Sequence, residues 1–238
     1  AVRLALGEPE LARLLDRIEA LGKSAHAAPL VALYREVAPD VLDADLQERL
    51  YRVVAELSEK QGDLTTARDY YKKMADTRAE DRQSLDALEK IYASTKDHEA
   101  LYELYARRAE LAGDDEVTRR HYLMLLGNLA DQPLGRTSEA IRAFEQVLDV
   151  FPSDDEATGA LMKHYRAQQR YADLADLYEK RLAYVEDLDE AVTLLEKRAH
   201  ERKTSLAEIL EGTPVAAFGA VTSAALVAAS VTVDMLPS

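Results

Sequence analysis

The chain has 238 residues, of which 47% are hydrophobic and 31% charged, with no cysteine and no tryptophan. A formal charge of −14 argues against general nucleic-acid binding, since phosphate contacts need a clustered basic surface; the missing cysteines exclude disulfides and thiolate metal sites. Sparse glycine (9) and proline (7) suit a mostly helical chain with short connections.

The first residue is Ala1, and no basic stretch leads into an apolar core behind it, as expected of a trimmed or excised fragment. The earliest pair at helical spacing is Leu30 and Tyr34. The amphipathic segment LYRVVAELSEK (50–60) follows, then Gly62, Ala67 and Tyr71. LDALEKIYAS (85–94) puts Leu85, Leu88 and Tyr92 on one helical face, ahead of Leu101 and Tyr105. RRHYLMLLGNLA (119–130) runs into ADQPLGR, where Pro133 and Gly135 mark a loop. GRTSEAIRAFEQVLDVFP (135–152) then reads as a helix with glycine before it, proline after it, and Ala140 four residues ahead of Phe144. GALMKHYRAQQ (159–169), with Leu161 and Tyr165 together, precedes Leu174 and Tyr178. AVTLLEKRAHE (191–201) is the last segment of this type.

These elements recur. The aromatic anchors at 34, 71, 105, 144 and 178 are separated by 37, 34, 39 and 34 residues, each with a small or apolar residue four positions earlier. The loop at Pro133 and Gly135 accounts for the longer interval, with room for about five extra residues. The unit is helix, short turn, helix. In this the chain resembles the tetratricopeptide repeat, a helical hairpin whose second helix carries alanine four residues before phenylalanine and then a proline. Ala140, Phe144 and Pro152 match directly; Gly62, Ala67 and Tyr71 match nearly as well. The repeats at Leu101 and Leu174 depart from the pattern with leucine in the alanine position. The resemblance covers about residues 9–211 and implies an all-α fold, a right-handed α–α superhelix of about five hairpins. A small residue such as Ala140 lets two helices approach, and a large or charged replacement there should cost a few kcal/mol.

The acidic runs GDDEV (113–117), SDDEA (153–157) and EDLDE (186–190) each precede a first helix. Ser153 with Glu156, and Asp187 with Glu190, have capping-box spacing, and first-turn carboxylates suit the helix dipole. Capping is therefore preferred to metal binding, and no EF-hand pattern is present. His26, His98, His121, His164 and His200 form no paired metal-ligand motif, and no nucleophile elbow, P-loop or dinucleotide fingerprint occurs. The expectation is a protein without catalytic residues, metal or cofactor.

The resemblance implies that first helices line a concave face that holds a peptide. Carried onto this sequence, that face includes Arg49, Arg52 and Glu56, then Lys90, then Arg120, His121, Met124 and Asn128. Lys163 and Arg166 follow, then Lys197 and His200. Glu56, Lys90, Met124, Lys163 and Lys197 occupy equivalent positions, three of them lysine, which would favour an acidic peptide or a chain-terminal carboxylate. The ordinary alternative is a row of solvated lysines.

Residues 212–233, GTPVAAFGAVTSAALVAASVTV, carry no charge. The stretch is long enough to span a bilayer, but its alanine, serine and threonine content inserts weakly. Three readings stand: a terminal helix packed on the array or a partner, which is favoured; a membrane anchor; or a segment foreign to the repeats. The sequence thus divides into a repeat array (1–211) and an uncharged C-terminal segment (212–238). The expected function is a non-catalytic scaffold binding a partner peptide or protein on the concave face. The alternative is a membrane-tethered assembly factor anchored through 212–238. Oligomerisation stays open, and among compartments the cytoplasm is favoured.

Overall fold

A computed structural model describes residues 27–184 continuously, together with the isolated helical positions 13, 16, 17, 19, 20, 193, 194 and 197. The C-terminal segment 212–238, His26, His200, and the capping pair Asp187 and Glu190 lie outside the described residues. Among the described residues the structure is helical, with no strand.

The helices are α1 (Ala27–Val37), α2 (Ala44–Lys60), α3 (Leu64–Thr77), α4 (Arg82–Thr95) and α5 (His98–Leu111). They continue with α6 (Glu116–Asp131), α7 (Thr137–Val150), α8 (Asp155–Ala167) and α9 (Tyr171–Leu182). A single 3-10 turn, Ala38–Asp40, follows α1. The chain divides inside α5 into two compact units, Ala1–Leu104 and Tyr105–Ser238. In the first, α1 packs on α2, α2 on α3 and α3 on α4; in the second, α6 packs on α7, α7 on α8 and α8 on α9. Consecutive helices thus stack as in a tetratricopeptide-like solenoid.

The sequence register holds at every described anchor. Tyr34, Tyr71, Tyr105, Phe144 and Tyr178 are buried, and so are Leu30, Ala67, Leu101, Ala140 and Leu174 four residues before them. The turns between paired helices share one feature. Gly62, Lys96, Gly135 and Gln169 all have positive φ (80, 56, 66 and 56°), at the same intervals as the aromatic anchors. The residue after each, at 63, 97, 136 and 170, donates its N–H back to a carbonyl of the closing helix. At Gly62, Lys96 and Gln169 this is the helix stop that a left-handed residue makes, which glycine adopts without the penalty a side chain incurs; α6 instead ends on the extended Gln132, and Gly135 turns the chain just before α7. The five residues Gln132–Arg136, which include a cis peptide before Pro133, hold the insertion in the long repeat.

Helix starts lie ahead of the apolar pattern because aspartate sets them. Asp43 accepts from Leu46 N–H at 2.7 Å, so α2 begins six residues before Leu50. Asp63, Asp97, Asp115 and Asp154 cap α3, α5, α6 and α8 in the same way. The acidic runs at 113–117 and 153–157 therefore cap helices. In the second of them Asp154 is the capping residue, in place of the expected Ser153, because its carboxylate reaches the Ala157 N–H at 2.8 Å.

One close contact was not anticipated. A Cβ placed on Gly127 of α6 would stand 2.6 Å from Cε1 and 2.8 Å from Cζ of Phe144. The hairpin α6–α7 therefore uses two small residues, Gly127 on the first helix to admit the ring and Ala140 on the second.

Candidate partner-binding surface

The first helices of the hairpins are α2, α4, α6 and α8. In the first unit, α2 presents Arg49, Arg52 and Glu56, and each is already engaged. Arg49 pairs with Asp16 at 2.5 Å and Glu19 at 3.0 Å. Arg52 bonds Glu48 at 2.9 Å, Gln83 at 2.7 Å and Asp81 at 3.2 Å, while Gln83 donates to Glu56. Lys90 of α4 is exposed.

In the second unit, α6 and α8 bring five of the expected residues to the surface. His121, Asn128, Lys163 and Arg166 are exposed and Arg120 is half-buried. Arg120 bonds the Asp154 carboxylate that caps α8 and reaches Glu156 at 3.5 Å. Lys163 bonds Asp131, at the end of α6, at 3.2 Å. The same carboxylate lies 3.4 Å from Nε2 of the buried His164. Arg166 donates to the Tyr178 hydroxyl at 2.6 Å. Among the described residues no carboxylate is within ion-pair range of Arg166. Lys197 is exposed at its isolated position.

Met124 is not a surface residue. It is 5% exposed and packs inside with Leu123, Leu126, Gly127 and Ala130, which give α6 a wide apolar arc. A thioether at the register position that holds lysine in other repeats gains by turning inward, where dispersion contacts replace water.

The feature that reasoning from single helices misses is the carboxylate partner one repeat away. Arg49 with Asp16, Arg78 with Asp45, Arg120 with Asp154 and Lys163 with Asp131 are 33, 33, 34 and 32 residues apart. Lining up the repeats by charge as well as by apolar residues would have found them. Their effect is to offset Lys163 of the basic stripe, with Arg120 beside it, and to tie neighbouring hairpins together.

Asp154 illustrates the electrostatics. Burial pushes its carboxyl up, but the Arg120 guanidinium and the Ala157 N–H outweigh burial and hold it below the ordinary aspartate value of 3.8. A depressed carboxyl contributes stability that is present above its unfolded pKa and lost as pH falls through the folded one. Asp154→Asn keeps a capping oxygen and removes the charge. It should cost about 1–2 kcal/mol at neutral pH. The gap from the parent should narrow below about pH 4 and close in stronger acid, as followed by thermal melts across that range. A gap independent of pH would place the effect in capping rather than in the ion pair.

Among the described residues no group of three or more His, Cys, Asp or Glu is placed to hold a metal, and no helix is long and apolar enough to cross a membrane.

Residues 122–154, the α6–α7 hairpin, match the tetratricopeptide repeat family model. The hairpins on either side repeat its register, so the described residues form a tetratricopeptide-like helical array. Two solved structures are similar in fold. One comes from work titled as the functional characterization of Pseudomonas aeruginosa PilF, at 15% identity and TM-score 0.35, covering 84% of this chain and 98% of that one. The other is BtubC (BKLC) from P. vanneervenii, at 15% identity and TM-score 0.34, covering 90% of this chain and 92% of that one. Neither likeness bears on what this chain binds. No curated protein matches it.

Proposed function

We propose that the chain is a non-catalytic scaffold that holds a partner peptide or protein against the face formed by its first helices. The observation that carries this reading is the exposed polar row His121, Asn128, Lys163 and Arg166 on α6 and α8. These helices are fixed by a packed core on one side, so the row is presented without ordering cost, which favours binding. Lys90 and Lys197 continue the same register on other first helices, and His200 falls in it by sequence.

The ion pairs refine what such a partner must offer. Arg120 and Lys163 already have carboxylates, so a ligand carboxylate gains from them only by displacing Asp154 or Asp131. Arg166, whose bond is to a neutral hydroxyl, is the stronger point for an acidic group. Met124 contributes packing beneath the surface and no contact.

Changing Lys163, Arg166 and Lys197 together to glutamate tests this reading. Lys163→Glu also loses the bond to Asp131 and Arg166→Glu the bond to the Tyr178 hydroxyl, so the melting temperature should fall by a few degrees, and binding is measured well below it. Affinity for the principal partner, recovered with the parent chain and measured by calorimetry, should fall about tenfold or more, with a weaker salt dependence. Unchanged affinity would move binding off this face.

A further inference from the structure

Among the described residues two glycines lie inside helices, and they differ. Gly127 admits the Phe144 ring, whereas a Cβ placed on Gly159 of α8 would meet nothing within 4 Å. Gly159 is exposed, in the interior of a 13-residue helix. Glycine there weakens a helix relative to alanine, because it has more backbone freedom to lose on folding. No packing around Gly159 offsets that loss.

The repeat register makes this glycine an exception. Gly159 stands fifteen residues before the anchor Leu174. The same position is Arg52 in α2, Asp86 in α4 and, allowing for the five-residue insertion, Arg120 in α6. Arg52 bonds Asp81 and Arg120 bonds Asp154, each the residue just before the next first helix. Asp86 is likewise engaged. Among the described first helices, α8 alone leaves the position bare.

Helical spacing puts Gly159 on one face with Lys163 and Arg166, one and two turns further on. The charges around it are largely matched. Asp155 pairs with Arg181 at 2.7 Å, Glu156 lies 3.5 Å from Arg120, and Lys163 pairs with Asp131 at 3.2 Å. Arg166, bonded to the neutral Tyr178 hydroxyl, is left without a carboxylate in range among the described residues. From Gly159 to Arg166 is about 10 Å along the helix, the length of about three extended residues.

We infer that Gly159 is a specificity-determining position of the first-helix face, where an extended acidic segment of the partner runs with its main chain against α8 and turns a carboxylate to Arg166. The bare helix lets that main chain approach more closely than any side chain would allow. This contact deepens the reading of the first-helix face and rests on it.

Neutral replacements in the full chain test the contact without changing net charge. Gly159→Ala and Gly159→Gln should each raise the melting temperature by a few degrees, since both residues favour a helix over glycine. Affinity should move the other way. The probe is a short fluorescein-labelled peptide alternating glutamate and serine, followed by anisotropy at low salt. Gly159→Ala should weaken its binding about threefold and Gly159→Gln about tenfold, as the added side chain holds the peptide off. Ala172→Gln, at an exposed position on α9, should stay within about twofold of the parent. A lower melting temperature for Gly159→Ala would make the glycine a packing residue and overturn the inference. Undiminished binding to Gly159→Gln, beside a loss in the Lys163, Arg166 and Lys197 glutamate variant, would overturn it and leave the first-helix reading standing. A peptide that does not bind the parent, or binds that glutamate variant equally well, would overturn both.

Discussion

Ala140→Arg should lower the stability of the second unit by about 3–5 kcal/mol, a fall in melting temperature on the order of 10 °C. Ala140 is fully buried, and Ile141, Ala143, Phe144 and Val147 around it are 3% exposed or less. These residues form the face that α7 packs against α6 and α8. A guanidinium there must either stay buried without a carboxylate or push the helices apart, and both outcomes lose packing that the neighbouring hairpins share. Lys90→Ala provides the contrast. Lys90 is exposed on α4, so its removal should change stability by no more than about 0.5 kcal/mol. Thermal melts that tolerate both substitutions would show that the repeat register is misassigned.

Gly127→Ala should destabilise by about 1–2 kcal/mol, although alanine is the better helix former by about 1 kcal/mol. Propensity loses to packing because the added methyl meets three atoms of the Phe144 ring inside 3.0 Å. The ring has little room to retreat. It is 1% exposed and stacked on His164, with centroids 6.3 Å apart and planes 19° from parallel. Phe144→Leu shortens that side chain, so in its background Gly127→Ala should become neutral or stabilising. The coupling in the double-mutant cycle should then reach about 1–2 kcal/mol. Additive effects would mean that Gly127 is not the position that admits the ring.

The two small residues also show how far the sequence could be read. Ala140 was legible because it repeats: a small or apolar residue stands four before a buried aromatic in every described second helix. The left-handed turns were legible at Gly62 and Gly135. They were invisible at Lys96 and Gln169, where the fold places ordinary residues at the same point. Gly127 could not be recognised from α6 alone, since a glycine inside a helical pattern acquires meaning only from the ring that meets it.

The candidate surface was legible in outline and not in charge. Helical register put His121, Asn128, Lys163 and Arg166 outside correctly, but it carried Met124 with them, because register assigns a direction and takes no account of a thioether's gain from burial. The charge balance around that surface was less legible, for a different reason. Asp154 was read only within the acidic run that caps its own helix and Asp131 was not singled out, whereas each serves a cation about one repeat away. Contacts between repeats are tertiary, and a pattern within one helix does not contain them.

Photo-crosslinking of the bound partner tests the first-helix face most directly. A benzophenone side chain replaces Asn128 on α6 in one variant and Asp149 on α7 in another, both at exposed positions. The principal partner recovered with the parent chain should crosslink through position 128. Crosslinking through position 149 alone would contradict binding on the first-helix face.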